Sequence, residues 1–342
     1  MSSQYNGILP IYKPPGMISK DVSRKISKLF STPIPIGHIG TLDPIAEGVL
    51  PLILGKATRL HDHLLNSTKI YEMTLTFGYT TDTLDSSGTV LKHCDYPCPS
   101  VDAIKNVLTS FLGKSQQTPP LYSAIKYRGK PLYAYARKGC GDLVDRDLLA
   151  RPIHIHRISL LKTTWQASDR RKLTSIDVSL SCSKGTYIRV LCDDIAKKLS
   201  TLGVMSSLKR LQTAGISADQ CIPLDSILSD PETISQHLIA MKDMPLNLAR
   251  ITVSDSEQQK LSHGQLLCFE EAVLKDRTDI VAGLQTKCLS HKYDNKLSNR
   301  MVLVVSCYGD ILSLGLLSCD HHNVSSTGFP ATVYLRQKRA LL

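Results

Sequence analysis

The chain has 342 residues, 42% hydrophobic and 21% charged, and its 41 Lys and Arg against 30 Asp and Glu give a formal charge of +11. This length suits two domains of ordinary soluble composition, and the cationic excess favours a polyanionic partner, nucleic acid before an anionic membrane. No apolar run reaches the ~20 residues of a membrane-spanning helix, the opening MSSQYNGILP lacks a signal peptide's features, and none of the ten cysteines forms a C-x-x-C pair, so a reduced cytoplasmic protein with no membrane partner is expected.

Gly7 to Lys13 (GILPIYK) reads as a short strand closed by the Pro14-Pro15-Gly16 turn. Ser19 suits the N-cap of a helix running to about Phe30. Val22, Ile26, Leu29 and Phe30 lie on one face of it. Arg24, Lys25 and Lys28 lie on the other, a face for solvent or for phosphates. The most unusual stretch follows, Gly37 to Pro51, GHIGTLDPIAEGVLP. Gly37, Gly40 and Gly48 allow close backbone approach, and Pro44 pushes Asp43 towards an extended or turn conformation. Taken alone, this is an ordinary turn. A carboxylate on a glycine-bracketed loop also suits a working acid, base or nucleophile. Val49 to Leu54 reads as a buried strand and Lys56 to Leu65 as a helix.

Tyr71 to Phe77 alternates apolar and polar residues and is the clearest strand. Tyr71 shares its inner face, as a core tyrosine or as a stacking surface for a base. Thr80 to Gly88 reads as a loop, and Val101 to Leu112 as a helix closed by Gly113. The segment 117–141 changes character. From Leu121 to Cys140 it carries five basic residues (Lys126, Arg128, Lys130, Arg137, Lys138) and no acidic one, with Tyr122, Tyr127, Tyr133 and Tyr135 interleaved. That mixture fits an exposed basic hairpin or an insertion gripping RNA phosphates and unpaired bases. Ile153 to Leu161 and Ser175 to Ser183 read as strands. The second leads through a Lys184-Gly185 turn into a helix with Arg189 in its first turn. There Arg189 is either structural or a cation at a site built from strand ends. A domain boundary is expected near Met244 to Ala249. Beyond it come a capping box at Ser254 to Glu257, a hairpin around Gly309-Asp310 and a last strand from Thr332. His93-Cys94 with Cys98, and Cys319 with His321-His322, are the only metal-like clusters, and neither is expected to bind metal.

Five blocks in order carry a resemblance to the bacterial tRNA pseudouridine synthases of the TruB type. They are Tyr12-Lys13-Pro14-Pro15-Gly16-Met17, the loop around Asp43, Lys69-Ile70-Tyr71, the run from Pro119 to Arg137, and Cys182 to Arg189 with Leu208 to Leu211 beyond it. The resemblance implies an α+β pseudouridine synthase fold over 1–245, with a central, mainly antiparallel mixed sheet flanked by helices and an RNA-gripping insertion at 117–141. It implies a small β-rich PUA-like RNA-binding domain over 246–342. The implied reaction converts the T-loop uridine at tRNA position 55 to pseudouridine, after the base is flipped from its stack. No metal and no cofactor is expected. The implied partner is the tRNA T-arm, bound by a monomer without a guide RNA.

In that family's terms Asp43 is the essential carboxylate, Arg189 its ion partner, and Tyr71 the residue that stacks on the flipped base and assists loss of the C5 proton. His38 would insert into the T loop. Lys13, Tyr187 and Leu208 would line or support the pocket, and Lys126, Lys130 and Arg137 would hold RNA. A non-catalytic tRNA-binding or tRNA-folding protein of the same fold is the alternative. A glycosidase-like hydrolase would need a second carboxylate, for which Glu47 is the only sequence neighbour. Two residues depart from the family pattern: Glu47 stands where a small residue is usual, and Tyr12 where Asp or Asn is common. Pointing at Asp43, Glu47 would raise its pKa; pointing outward, it would do nothing.

Overall fold

The computed structural model describes residues 5–95, 99–166, 173–246, 248, 250–270, 300–306, 308, 310–319 and 332–340. The chain divides into two compact units. One comprises Leu9–Ile53 and Leu64–His237; the other comprises Met1–Ile8, Leu54–His63 and Leu238–Leu342. The division differs from the expected one at 245/246: the second unit starts earlier in the chain and includes two N-terminal segments.

The larger unit is organised by one mixed sheet. Its strands include β1 (Gly7–Lys13), β2 (Ile36–His38), β3 (Glu47–Leu54), β4 (Lys69–Phe77), β5 (Gly113–Gln117), β6 (Arg151–Trp165), β7 (Leu173–Cys182), β8 (Gly203–Thr213) and β9 (Ile222–Pro223). The main path runs β9-β1-β3-β8-β4-β7-β6-β5, with β2 on β3. The pairs β8–β4, β4–β7, β7–β6 and β6–β5 are antiparallel, while β9–β1 and β3–β8 are parallel. The strict alternation of β4 buries Lys69, Tyr71, Met73, Leu75 and Phe77 on one face. It places β4 between two long antiparallel neighbours. The helices of this unit include α1 (Ser19–Ser27), α2 (Val101–Thr109) and α3 (Ile188–Lys198). α3 turns a stripe of Ile188, Leu191, Cys192, Ile195 and Ala196 inward, each at most 4% exposed.

α1 stops at Ser27, three residues short of Phe30, and its N-cap position is Ile18, with no side-chain cap. Ser19 is used differently. Buried at 1% exposure, its hydroxyl donates to Leu42 O at 3.1 Å and accepts from Leu42 N at 2.9 Å. A hydroxyl suited to capping a helix ties the helix start to the Asp43 loop instead.

In the second unit, five strands pair in the order β10 (Arg250–Val253), β12 (Arg300–Ser306), β13 (Ile311–Cys319), β14 (Thr332–Ala340), β11 (Leu267–Glu270). Helix α4 (Asp255–Ser262) starts with the expected capping box, Ser254 and Glu257 satisfying each other's backbone N–H groups. Ile251, Val253, Leu261, Leu267, Phe269, Val302, Val304, Leu312 and Leu335 form this unit's core. The hairpin expected around Asp310 joins β12 and β13. Cys98, His321 and His322, which the metal-like clusters require, lie outside the described residues. Among the described residues no group of three His, Cys, Asp or Glu could hold a metal ion, and no helix is long and apolar enough to cross a membrane.

Candidate active site

Asp43 sits on the loop between β2 and β3, and β1's end fixes that loop. The Lys13 side chain is fully buried, and its ammonium donates to Pro14 O (2.8 Å), Met17 O (2.6 Å) and Pro44 O (3.4 Å). Gly16 N donates to the same Pro44 carbonyl at 2.8 Å. Gly16 reaches this position with φ at +83°, which a residue with a side chain resists. The Pro-Pro-Gly turn and the Asp-Pro step are therefore one bonded unit. Burial lowers the Lys13 pKa to about 8, against the opposing charge of Asp43.

Arg189, in the first turn of α3 and 5% exposed, faces Asp43. Its Nε lies 3.2 Å from one carboxylate oxygen, and an Nη donates to the other at 3.4 Å. The same Nη donates to Tyr122 O at 2.6 Å, and the other Nη to Thr83 O at 3.1 Å. Three chain segments thus hold the guanidinium still. Asp85, 4% exposed, adds negative charge nearby. Burial raises the Asp43 pKa above the ordinary carboxylate value; Arg189 and then Lys13 oppose this, and Asp85 reinforces it.

Tyr71 forms another part of the site. Its cross-strand neighbour on β8 is Arg210, whose guanidinium faces the phenol. Arg210 is 1% exposed; its Nε donates to Val49 O at 2.7 Å and an Nη donates to Gly40 O at 2.9 Å. Two glycines of the Asp43 loop make room for it. A Cβ on Gly48 would stand 2.3 Å from Arg210 O, and one on Gly40 would stand 3.2 Å from its Nη1. Asp43, Tyr71, Arg189, Tyr187, Leu208, Lys69 and Arg210 all line one cavity of about 660 Å³, large enough for a nucleoside-sized group.

Tyr187 sits just before α3, its backbone N–H and C=O both held by the Gln117 side-chain amide at 2.8 and 3.1 Å. Leu208 is 4% exposed on the cavity wall. Lys13 supports the Asp43 loop and is not part of the cavity lining. His38 is likewise outside the lining, at the end of β2, its Nε2 3.1 Å from the Thr41 hydroxyl. In 117–141, a tight hairpin pairs Lys126-Tyr127 with Lys130-Pro131, and a helix follows over Leu132–Arg137. Lys126, Lys130 and Arg137 are exposed. The Arg137 guanidinium stands 5.5 Å from the ring centre of Tyr133, which reaches the cavity. Glu47 faces Tyr12: burial first, and then the charge and hydrogen bond of Glu47, push the phenol pKa up to about 12. The two departures from the family pattern therefore meet each other. Lys69, Arg210 and Asp85 are site residues to which sequence reasoning gives no role, and it gives Tyr122 only that of one of the insertion's interleaved tyrosines. Lys69 and Arg210 lay inside recognised blocks; a buried charge in a strand was the signal available.

The architecture defines the class: this is the pseudouridine synthase fold. In solved structures the chain resembles one in the crystal structure of a Cbf5–Nop10–Gar1 complex, with a TM-score of 0.68, 20% identity, and coverage of 99% of this chain and 86% of that one. A chain in the structure of an H/ACA RNP bound to a substrate RNA containing 2′-deoxyuridine follows, at 0.66 and 18%, covering 99% and 86%. The chain belongs to the TruB family. The model of the TruB family pseudouridylate synthase N-terminal domain matches residues 28–188. The tRNA pseudouridine synthase B of Syntrophomonas wolfei is 36% identical over 261 residues, 76% of this chain and 84% of that protein. That of Hydrogenovibrio crunogenus is 37% identical over 267 residues, 78% and 82%, and that of Staphylococcus haemolyticus 37% over 266 residues, 76% and 85%.

Proposed function

We propose that this chain isomerises uridine in tRNA to pseudouridine, and that its target is the T-loop uridine at position 55. The observation that carries the chemistry is the Asp43–Arg189 pair at the wall of a cavity shared with Tyr71. The proposed sequence is flipping of the uridine into the cavity, stacking on Tyr71, and cleavage of C1′–N1 with the Asp43 carboxylate facing the sugar. The base then turns, C5 bonds to C1′, and the C5 proton is lost. Arg189 holds Asp43 ionised and oriented. His38, beside Thr41, enters the opened T loop, and the basic hairpin of 117–141 grips the T-arm backbone. The β-rich unit extends the RNA contact. The relatives' names speak of tRNA, and we propose that this chain acts on it as a monomer in the cytoplasm without a guide RNA.

A hydrolytic glycosidase is disfavoured. Among the described residues Asp43 is the one carboxylate lining the cavity, Glu47 is turned to Tyr12, and a hydrolase needs two carboxylates across the bond. The test uses tRNA carrying tritium at uridine C5. Asp43→Asn is expected to bind tRNA as the parent does and to release no tritium; appreciable release would remove Asp43 from its role.

A further inference from the structure

Two buried cations line the cavity with no carboxylate partner among the described residues. Arg210 donates to two backbone carbonyls and faces the Tyr71 side chain. Lys69, 4% exposed, donates to Leu65 O at 2.7 Å and to Ser67 O at 2.5 Å, with the Ser67 hydroxyl at 3.3 Å. Both flank Tyr71. Lys69 precedes it by two residues, on the same face of β4, and Arg210 is its partner in register on β8. Arg189, by contrast, is matched by Asp43. Retaining buried positive charge without a resident anion is costly to folding. A site that does so is arranged for negative charge that arrives during its work.

Resting on the isomerase reading above, we propose that Lys69 and Arg210 form a cationic wall that stabilises the uracil anion released when the glycosidic bond breaks. The C1′–N1 bond breaks with its electron pair leaving on N1, so negative charge spreads over N1, O2 and O4. C1′ is left electron-poor opposite the Asp43 carboxylate. After the base turns, a ring electron pair at C5 forms the C5–C1′ bond. The C5 proton then passes to solvent and N1 gains one from water. The negative charge exists only between the two bond changes, so a wall that favours it lowers the cleavage barrier without tightening uridine binding.

The test compares the parent chain, Lys69→Gln and Lys69→Arg on T-arm RNA carrying uridine or 5-fluorouridine at the target. Fluorine withdraws electrons and makes the base a better leaving group, so cleavage should depend less on the wall. Lys69→Gln is expected to slow conversion of uridine by about 100-fold at saturating RNA, with KM within about 3-fold. 5-Fluorouridine has no C5 proton to lose, so on it the step followed is disappearance of the N1-linked nucleoside, by chromatography of nuclease digests, and there the loss should fall below about 10-fold. Lys69→Arg should restore most of the rate. An equal loss on both bases, which a purely structural lysine would give, overturns the proposal. Should Lys69→Gln fail to fold by circular dichroism, the parent chain decides. Barbiturate, a uracil-shaped anion at neutral pH, should inhibit at least about 10-fold more strongly than uracil; equal inhibition overturns the wall. A parent chain that makes no pseudouridine sinks the isomerase reading itself. An active parent with base-independent losses sinks the wall alone.

Discussion

Asp43 is a carboxylate pulled in opposite directions. Burial and the charge of Asp85 favour its protonated form; Arg189 and Lys13 favour the anion. The net effect is a pKa above the ordinary carboxylate value, so the rate at saturating RNA should rise with pH along a limb displaced upward from where a free aspartate titrates. Arg189→Gln removes the charge that does most to favour the anion. The Asp43 pKa must therefore rise further, and the limb must move to still higher pH, with the plateau reduced by roughly 10-fold or more from lost orientation. The check is a single-turnover pH profile of parent and variant. An acid limb that stays in place would mean that the pair does not set the ionisation of Asp43. The same reasoning gives a stability consequence of the same sign: a buried acid with a raised folded pKa supports the fold while protonated, and that support is lost as pH rises through the folded value. Ionised Asp43 is thus a residue the fold tolerates for the sake of chemistry.

At the scale of elements, the Asp43 loop is shaped by a strand that lies far away in sequence. β3 runs parallel to β8 with Gly48 opposite Arg210, and Gly48 has φ at +107° with no space for a side chain. Gly48→Ala adds a backbone clash to a left-handed conformation. Gly113→Ala, at φ +96° with nothing within 4 Å, suffers the conformational cost alone, about 1–2 kcal/mol. Urea unfolding should therefore place Gly48→Ala at least about 2 kcal/mol below Gly113→Ala, with tritium release lost only in the former; similar midpoints would show that the β3–β8 approach can relax. This contrast also marks what was legible in the sequence. The alternation of β4, the turn before Arg189 and the capping box at Ser254 are local patterns, and each was readable from neighbouring residues. The pairing of residue 48 with residue 210 leaves no local trace, and neither does a buried arginine whose partners are carbonyls. Ser19 misled for a related reason: a serine before an apolar stripe suits a cap, but only the folded chain shows that Leu42 offers it better partners. Glu47 posed a question that sequence could frame but not answer, since its direction depends on Tyr12 across the sheet.

For the whole molecule, the formal charge of +11 has to be divided between chemistry and grip. Lys13, Lys69, Arg189 and Arg210 are buried, at 0, 4, 5 and 1% exposure, and they cannot release counterions from RNA phosphates on contact. Lys126, Lys130 and Arg137 are exposed on the hairpin and helix of the insertion. Counterion release makes log K fall linearly with log salt, by about 0.7 to 0.9 per phosphate neutralised. Replacing these three by alanine should therefore flatten the salt dependence of tRNA binding by about 2 if each meets one phosphate. At 0.15 M salt the affinity should fall by about 10- to 1000-fold. The rate at saturating tRNA should stay within about 3-fold of the parent, because none of the three lines the cavity. Filter binding across a salt series, paired with single-turnover tritium release, separates the two quantities. An unchanged slope would move the grip to another surface, with the basic face of α1, carrying Arg24 and Lys25, the next to test. A collapse of the saturated rate with an unchanged slope would instead make the insertion part of the chemistry, acting through Tyr133 at the cavity wall and the Tyr122 carbonyl that holds Arg189.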